Sequence, residues 1–256
     1  MTPAARQVFE RGYLVLEGLY DEAERASLRR TLDELTEAVG EPKMWSKQPE
    51  RPFDGMEIST TGLVFYELLG WRPDVAPTLL KPEAVSVVRE VLGDDAHVEL
   101  VGGVVTDETR PFYEWHNHIG GIDDEAIRHG GGAPARFPSP QRITHIVYLD
   151  GLSEDTGPLL VYPRAATDPT APPHPIAQER WEGAVRVTCP PGSVVLLEQC
   201  TWHAAAPRAT PGRRHFVGCH FASADAPPTD LVDASLARLE DPPPLLRGLL
   251  RARSAR

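Results

Sequence analysis

The spacing of hydrophobic residues predicts two main helices in the first part of the chain. Within residues 20–40, apolar side chains recur every three or four positions, as an amphipathic helix requires: Leu28, Leu32, Leu35 and Val39. Acidic residues at its start and Gly40 at its end mark the termini. Residues 82–93 predict the second helix, which begins at Pro82 and ends at a glycine. Before these helices, residues 7–19 predict a short helix that leads into a strand at 13–16.

After residue 95 the pattern changes to short alternating or β-branched stretches separated by Gly and Pro, which indicates strands. The candidate strands are 97–106, 112–118, 142–150, 158–163, 184–189, 193–199 and 214–222. Helices followed by many short strands predict a helical layer on a mostly antiparallel double-sheet jelly roll. The Gly- and Pro-rich segment 119–141 is long enough to predict a lid or a disordered loop.

The composition indicates one globular domain. Hydrophobic residues make up 41% of the 256 residues, and no break in composition divides the chain. We therefore predict a single domain with a helical N-terminal layer (1–95), a β-helix core (96–222) and C-terminal helices (223–256).

Charge and cysteine usage exclude several classes of partner. The net charge of -11 leaves no basic footprint for nucleic acid or for an anionic membrane, so we expect neither as a partner. The three cysteines lack close spacing, which fits reduced thiols in the cytoplasm. The N-terminus carries charges where a signal peptide needs an apolar run, and this also favours a cytoplasmic location. The oligomeric state does not follow from the sequence.

The stretch Trp115-His116-Asn117-His118 carries the first candidate chemistry. In a strand, residues two apart point to the same face, so His116 and His118 could reach one metal ion. A third candidate ligand is His203, which directly follows a predicted strand near the mouth of the jelly roll. Three histidines in this arrangement predict a metal site.

The order of several motifs resembles the phytanoyl-CoA dioxygenase-like family of iron(II)- and 2-oxoglutarate-dependent oxygenases. The segment "FERGYLVLEGLYDEAERASLRRTLDEL" (9–35) resembles the helical opening of that family, and "WHNH" resembles its Trp-His-x-Asp motif. The stretches "YLDGLSEDTGPLLVYP" (148–163) and "PPGSVVLLEQCTWH" (190–203) follow in the expected order. An arginine eleven residues after the last histidine, Arg214, completes the pattern.

The resemblance implies a double-stranded β-helix, cupin-like, with iron(II) and 2-oxoglutarate as cofactors. It implies that His116 and His203 are iron ligands and that Arg214 binds the far carboxylate of 2-oxoglutarate, for which its bidentate fork is suited. Asn117 stands where the family has a residue that hydrogen-bonds the cosubstrate. His118 falls where the family has its aspartate. The family's Gly-Ser-His is replaced by "YPRAATDP" (162–169).

The histidine at position 118 leaves four interpretations open. Three histidines hold the iron, and the dianionic cosubstrate offsets the missing carboxylate charge. Alternatively, Glu114 on the same strand face, or Asp123 or Asp124 from the loop, replaces the aspartate. A third interpretation is a three-histidine zinc site for hydrolysis or hydration, and a fourth is a catalytically degenerate binding protein of the same fold.

The first interpretation is favoured because Arg214 would have little purpose in a zinc hydrolase. The predicted function is therefore an oxygenase that oxidises a small molecule, in secondary metabolism. No residue is assigned a catalytic role beyond binding the metal and cosubstrate. The sequence does not identify the substrate.

Overall fold

A computed structural model describes residues 1–40, 42–120, 136–229 and 233–250. The helices of this part of the chain are α1 (Pro3–Arg11), α2 (Glu22–Ala38), α3 (Leu68–Trp71), α4 (Pro82–Leu92) and α5 (Pro244–Arg247). Two short 3-10 helices span Pro73–Thr78 and Leu236–Arg238.

The strands of the same residues form two antiparallel sheets. They are β1 (Tyr13–Leu16), β2 (Met56–Ile58), β3 (Leu63–Phe65), β4 (His97–Thr106), β5 (Tyr113–His116), β6 (Arg142–Tyr148), β7 (Leu159–Val161), β8 (Val185–Val187), β9 (Ser193–Glu198), β10 (His203–Ala205) and β11 (Arg214–Ala222). The larger sheet has the order β1-β9-β6-β11-β4-β3-β2, and the smaller one has the order β5-β10-β7-β8.

From β4 to β11 the chain passes repeatedly between the two sheets, which makes the fold a double-stranded β-helix. Strands β6 and β9 are buried at every position because both faces of the larger sheet are covered. One face packs on the helices, and the other faces the smaller sheet across an apolar core that contains Ile146 and Val195. The predicted fold class is confirmed.

The helical layer packs on the outer face of the larger sheet. Helix α2 begins with a capping box formed by Asp21 and Glu24, and it buries Leu28, Leu32 and Leu35 against the sheet. Gly103 in β4 allows α2 to lie close to the sheet, because a Cβ atom at this position would lie 2.4 Å from Leu32 Cδ2. The leucine stripe predicted from the sequence therefore has a structural role.

Residues 1–95 contribute strands as well as helices. Three strands of this segment join the larger sheet, and only β1 was predicted. The hairpin of β2 and β3 was not assigned, because each strand has three residues that are all buried and therefore show no alternation. The three-residue β10, which contains two alanines, was also missed.

Several other features of the described residues bear on the sequence predictions. No helix in this part of the chain is long and apolar enough to cross a membrane. Cys189, Cys200 and Cys219 are all buried and free of disulfide bonds. Most of the predicted lid, residues 121–135, lies outside the described residues.

His145 in β6 is buried in the apolar core between the helices and the larger sheet. Its register partners, Leu196 and Cys219, belong to that core, and neither ring nitrogen has a hydrogen-bond partner among the described residues. Burial lowers the pKa of His145 to about 4. The imidazole of His145 is therefore neutral in the folded protein at neutral pH.

Replacing His145 by leucine should make the protein less sensitive to mild acid. Because the unfolded chain binds a proton at His145 near pH 6.5 and the folded chain only near pH 4, stability is lost as the pH falls between these values. We expect wild type to lose about 2 kcal/mol more unfolding free energy than His145→Leu between about pH 7.5 and about pH 5. Urea denaturation at both pH values measures this difference, and parallel losses in the two proteins would contradict it.

Candidate metal centre

The pairing of β5 with β10 brings two of the predicted ligands together. His116 lies directly opposite His203 in this pairing, and their ring centroids are 4.2 Å apart. His118 follows the end of β5, where its backbone N–H donates to Gln199 O, and its ring centroid is 4.8 Å from that of His203. One ligand atom from each of the three buried imidazoles lies within 4.8 Å of the others. This arrangement can hold one metal ion.

Hydrogen bonds to backbone carbonyls determine which ring nitrogen carries the proton in two of these histidines. His116 Nδ1 lies 2.8 Å from Glu114 O, and His203 Nδ1 lies 2.9 Å from Thr201 O. Because a carbonyl oxygen only accepts hydrogen bonds, each Nδ1 carries the proton. In a neutral imidazole the lone pair is then on Nε2, which is the atom available to a metal.

A hydroxyl group orients the third imidazole. His118 Nδ1 is 2.7 Å from Thr144 Oγ1, which also lies 3.3 Å from His220 Nδ1. Thr144 and His220 face the same cavity because they are paired across β6 and β11. If His118 Nδ1 donates to Thr144, the hydroxyl can donate to His220, and Nε2 of His118 is left for a metal.

The turn that leads into His203 is anchored by a buried ion pair. Arg164 Nη1 lies 3.2 Å from Glu198 Oε2, which accepts a hydrogen bond from the backbone N–H of Cys200. Thr201 Oγ1 donates to Gly12 O at the junction of α1 and β1. Burial raises the pKa of Glu198 to about 7, although Arg164 acts in the opposite direction. These contacts fix where β10 begins.

An irregular register in β5 corrects one prediction. His203 and Ala205, two residues apart in β10, pair with His116 and Tyr113, which are three apart in β5. This bulge turns both Tyr113 and His116 toward the cavity, where their rings stack at 4.2 Å, and leaves Glu114 exposed. The prediction that Glu114 shares the face of the histidines was wrong. Asp123 and Asp124 lie outside the described residues.

The three histidines line a cavity between the two sheets. Its volume is about 100 Å³, several times the space that one water molecule needs. Among the described residues, its lining contains no aspartate or glutamate, whereas two arginines, Arg110 and Arg214, contribute to it. The cavity can therefore accept a small anionic ligand together with a metal ion.

Arg214 and Asn117 occupy different positions relative to this cavity. Arg214 is 3% exposed, and its Nη1 donates to Gly157 O at 2.7 Å, while its buried Nε has no partner in the part of the chain that the structure describes. Burial lowers the pKa of Arg214. Asn117 is fully buried, does not line the cavity, and accepts a hydrogen bond from the Ile119 N–H. The structure therefore does not bring Asn117 to the predicted cosubstrate site.

Three polar residues of the cavity had no role in the sequence predictions. Thr144 and His220 lie on the inward faces of predicted strands, so strand alternation would have indicated them. Arg110 lies in the turn before β5, where no periodicity indicates its direction.

The fold is that of the cupin-like jelly-roll proteins. The sequence matches the family described as Phytanoyl-CoA dioxygenase (PhyH) over residues 9–216. The chain therefore belongs to the phytanoyl-CoA dioxygenase family, whose members are iron(II)- and 2-oxoglutarate-dependent oxygenases. The family match confirms the predicted family, enzyme class and cofactors.

Similar proteins support the same fold. An uncharacterized protein of Mycobacterium tuberculosis, Rv1501, is 26% identical over 202 residues, which are 79% of this chain and 67% of that protein. The structure is similar to that of SnoK, a non-heme alpha-ketoglutarate-dependent carbocyclase from nogalamycin biosynthesis, with a TM-score of 0.66, 18% identity and coverage of 94% and 91% of the two chains. HygX from Streptomyces hygroscopicus, with nickel and 2-oxoglutarate bound, has a TM-score of 0.61, 16% identity and 88% coverage of both chains.

Removing the hydroxyl of Thr144 should weaken metal binding. Thr144→Val keeps the shape of the side chain but removes the group that orients His118, so we expect about tenfold weaker binding of iron(II). Anaerobic calorimetry measures this affinity. Thr36→Val is a matched control, because Thr36 is also buried and hydrogen-bonded but lies in α2. Equal iron affinity in Thr144→Val and wild type would contradict the role of Thr144.

Proposed function

We propose that this protein is an iron(II)- and 2-oxoglutarate-dependent oxygenase that uses a three-histidine metal site and oxidises a small molecule. His116, His118 and His203 would hold the iron, and Arg214 would bind the cosubstrate. The observation that carries this proposal is the convergence of three imidazoles in the same cavity as a buried arginine that has no carboxylate partner among the described residues.

The charge of the cavity is consistent with this ligand set. Neutral imidazole at position 118 makes the site one unit more positive than a site with two histidines and one carboxylate. A dianionic 2-oxo acid offsets this charge better than a neutral ligand does. When bound, iron(II) would activate dioxygen with 2-oxoglutarate as the source of electrons.

The side chains of this chain would bind and orient the reactants. The Nε2 atoms of the three histidines would hold the iron, and a metal with three protein ligands would also accept the cosubstrate and oxygen. Arg214 can present a bidentate fork to the far carboxylate, since only one of its terminal nitrogens is used by backbone carbonyls. Leu100, Val104 and Phe216 provide an apolar wall that limits the access of water.

A three-histidine zinc hydrolase or hydratase is the alternative that the same ligands allow. It would need no cation set back from the metal, so the buried guanidinium of Arg214 disfavours it. A degenerate binding protein would retain the cavity but show no turnover of 2-oxoglutarate. The experiments below separate these three functions.

We further propose that the whole chain acts as one oxygenase domain in the cytoplasm on a substrate of secondary metabolism. The three buried free cysteines favour a reducing compartment. The similar fold of an enzyme from nogalamycin biosynthesis, and that of HygX, which was crystallised with hygromycin B, supports the choice of substrate class by analogy. We expect neither nucleic acid nor a membrane surface as a partner.

Loss of one histidine should abolish stoichiometric iron binding. His203→Ala removes a ligand at the centre of the cluster, so we expect less than one iron per chain after anaerobic loading and desalting. His174→Ala is the control, because His174 lies outside the cluster. Full iron content in His203→Ala would refute the assignment, and hydrolysis by zinc-loaded wild type without any turnover of 2-oxoglutarate by the iron-loaded protein would favour the hydrolase.

Position 118 should tolerate the carboxylate that it lacks. His118→Asp restores an anionic ligand at the same place in the chain, so we expect the variant to bind iron and to show altered affinity for 2-oxoglutarate. Metal analysis and anaerobic titration measure both. Loss of all metal in His118→Asp would contradict the proposed ligand geometry, whereas faster turnover of 2-oxoglutarate would identify His118 as a degenerate aspartate.

Arg214 should determine the affinity for 2-oxoglutarate without affecting that for iron. Removing a charge-assisted bond costs about 1.5–3 kcal/mol and a bidentate pair costs more, so Arg214→Ala should bind 2-oxoglutarate roughly 10- to 1,000-fold more weakly. The charge-transfer band of the iron complex, recorded anaerobically, reports binding. Arg213→Ala, whose side chain pairs with Asp33 at the surface, is the control. Unchanged affinity in Arg214→Ala, or no binding by wild type, would contradict the proposal.

A further inference from the structure

A second buried arginine faces the cavity and has no assigned role. Arg110 is 2% exposed, and its Nη2 donates to Ala206 O at 3.1 Å. Among the described residues its side chain forms no other hydrogen bond and no ion pair. A buried guanidinium that lacks a carboxylate is costly to the folded protein, so its location in a cavity indicates an anionic ligand.

Arg110 and Arg214 are anchored to neighbouring segments of backbone. Arg110 donates to Ala206 O and Arg214 to Gly157 O. These carbonyl groups lie close together, because the N–H of Ala206 donates to Pro158 O at 3.1 Å and a Cβ on Gly157 would lie 2.6 Å from Ala206 O. Burial and the neighbouring Arg214 guanidinium lower the pKa of Arg110, which agrees with this proximity.

The two guanidinium groups lie at the end of the cavity away from the histidines. Ala206 follows β10 three residues after His203, which corresponds to about 10 Å along a strand. On the facing strand, Tyr113 stacks on His116 and separates it from Arg110 along the chain. A ligand that binds a metal through one end and carries a carboxylate at the other would direct that carboxylate toward both arginines.

We propose that Arg110 and Arg214 together bind the far carboxylate of the 2-oxo dicarboxylic acid, so that Arg110 is a second residue that determines selectivity for the cosubstrate. This inference rests on the proposed function, since it requires a 2-oxo acid at the metal. A carboxylate has two oxygen atoms and can accept hydrogen bonds from two guanidinium groups at once. The pair therefore selects a 2-oxo acid with a second carboxylate over one without it.

The test compares two ligands that differ only in that carboxylate, 2-oxoglutarate and 2-oxopentanoate. Their affinities for the iron-loaded protein are measured anaerobically by calorimetry and by the charge-transfer band. Arg110→Gln should weaken 2-oxoglutarate about 10- to 100-fold and 2-oxopentanoate less than about twofold. The double variant Arg110→Gln/Arg214→Gln should lose the preference for 2-oxoglutarate, and Arg110→Lys should restore part of it because it keeps the charge.

Arg208→Gln is the matched control for long-range electrostatics. Arg208 is a nearby positive charge that contributes to the lowered pKa of Arg214 but does not line the cavity, so its loss should leave the preference between the two ligands unchanged. The inference is overturned if Arg110→Gln weakens both ligands equally or weakens neither. It is also overturned if Arg110→Lys shows no recovery over Arg110→Gln when both variants bind iron like wild type. Failure of wild type to bind 2-oxoglutarate would instead refute the proposed function.

Discussion

The direct pairing of His116 with His203 across β5 and β10 is the constraint from which the metal centre follows. Side chains that lie opposite each other in an antiparallel pair have Cβ atoms about 4.5–5.5 Å apart, which is suitable for two ligands of one ion. The bulge in β5 turns Tyr113 and His116 to the same side, and the turn stabilised by Glu198 and Arg164 determines where β10 begins. A shift of this register by one residue would turn the histidines away from each other.

The cavity around this centre is unusual in its charge. Arg110 and Arg214 are buried in it, the three histidines can bind a divalent cation, and no acidic side chain among the described residues lines it. At position 118, where the resemblance of "WHNH" to the family motif implies an aspartate, this chain has a histidine. Desolvation of these positive groups opposes folding, and anions that bind there relieve it, so the protein is expected to gain stability when its ligands bind.

Neutral hydrogen-bond partners offset part of the cost of burying these arginines and histidines. Backbone carbonyls accept from His116, His203, Arg110 and Arg214, and the hydroxyl of Thr144 contacts His118. Carbonyl oxygens orient these groups without neutralising their charge. The cavity therefore stays positive and preorganised for an anion, which is the condition under which electrostatic binding is strongest.

The features that depend on local pattern were predictable from the sequence. The positions of α2, α4, β1 and β4, and the pair of histidines at 116 and 118, followed from residue spacing, because each is encoded within a few residues. The jelly-roll class followed from the succession of elements, and Arg214 was implied by the resemblance in the order of motifs. Tertiary structure alone decided the rest: the β2–β3 hairpin, the exposed position of Glu114, the placement of Asn117 away from the cavity, and the contribution of Arg110. These depend on the register of strands that are distant in the chain and on a bulge that reverses the direction of side chains, and no local pattern of residues encodes either.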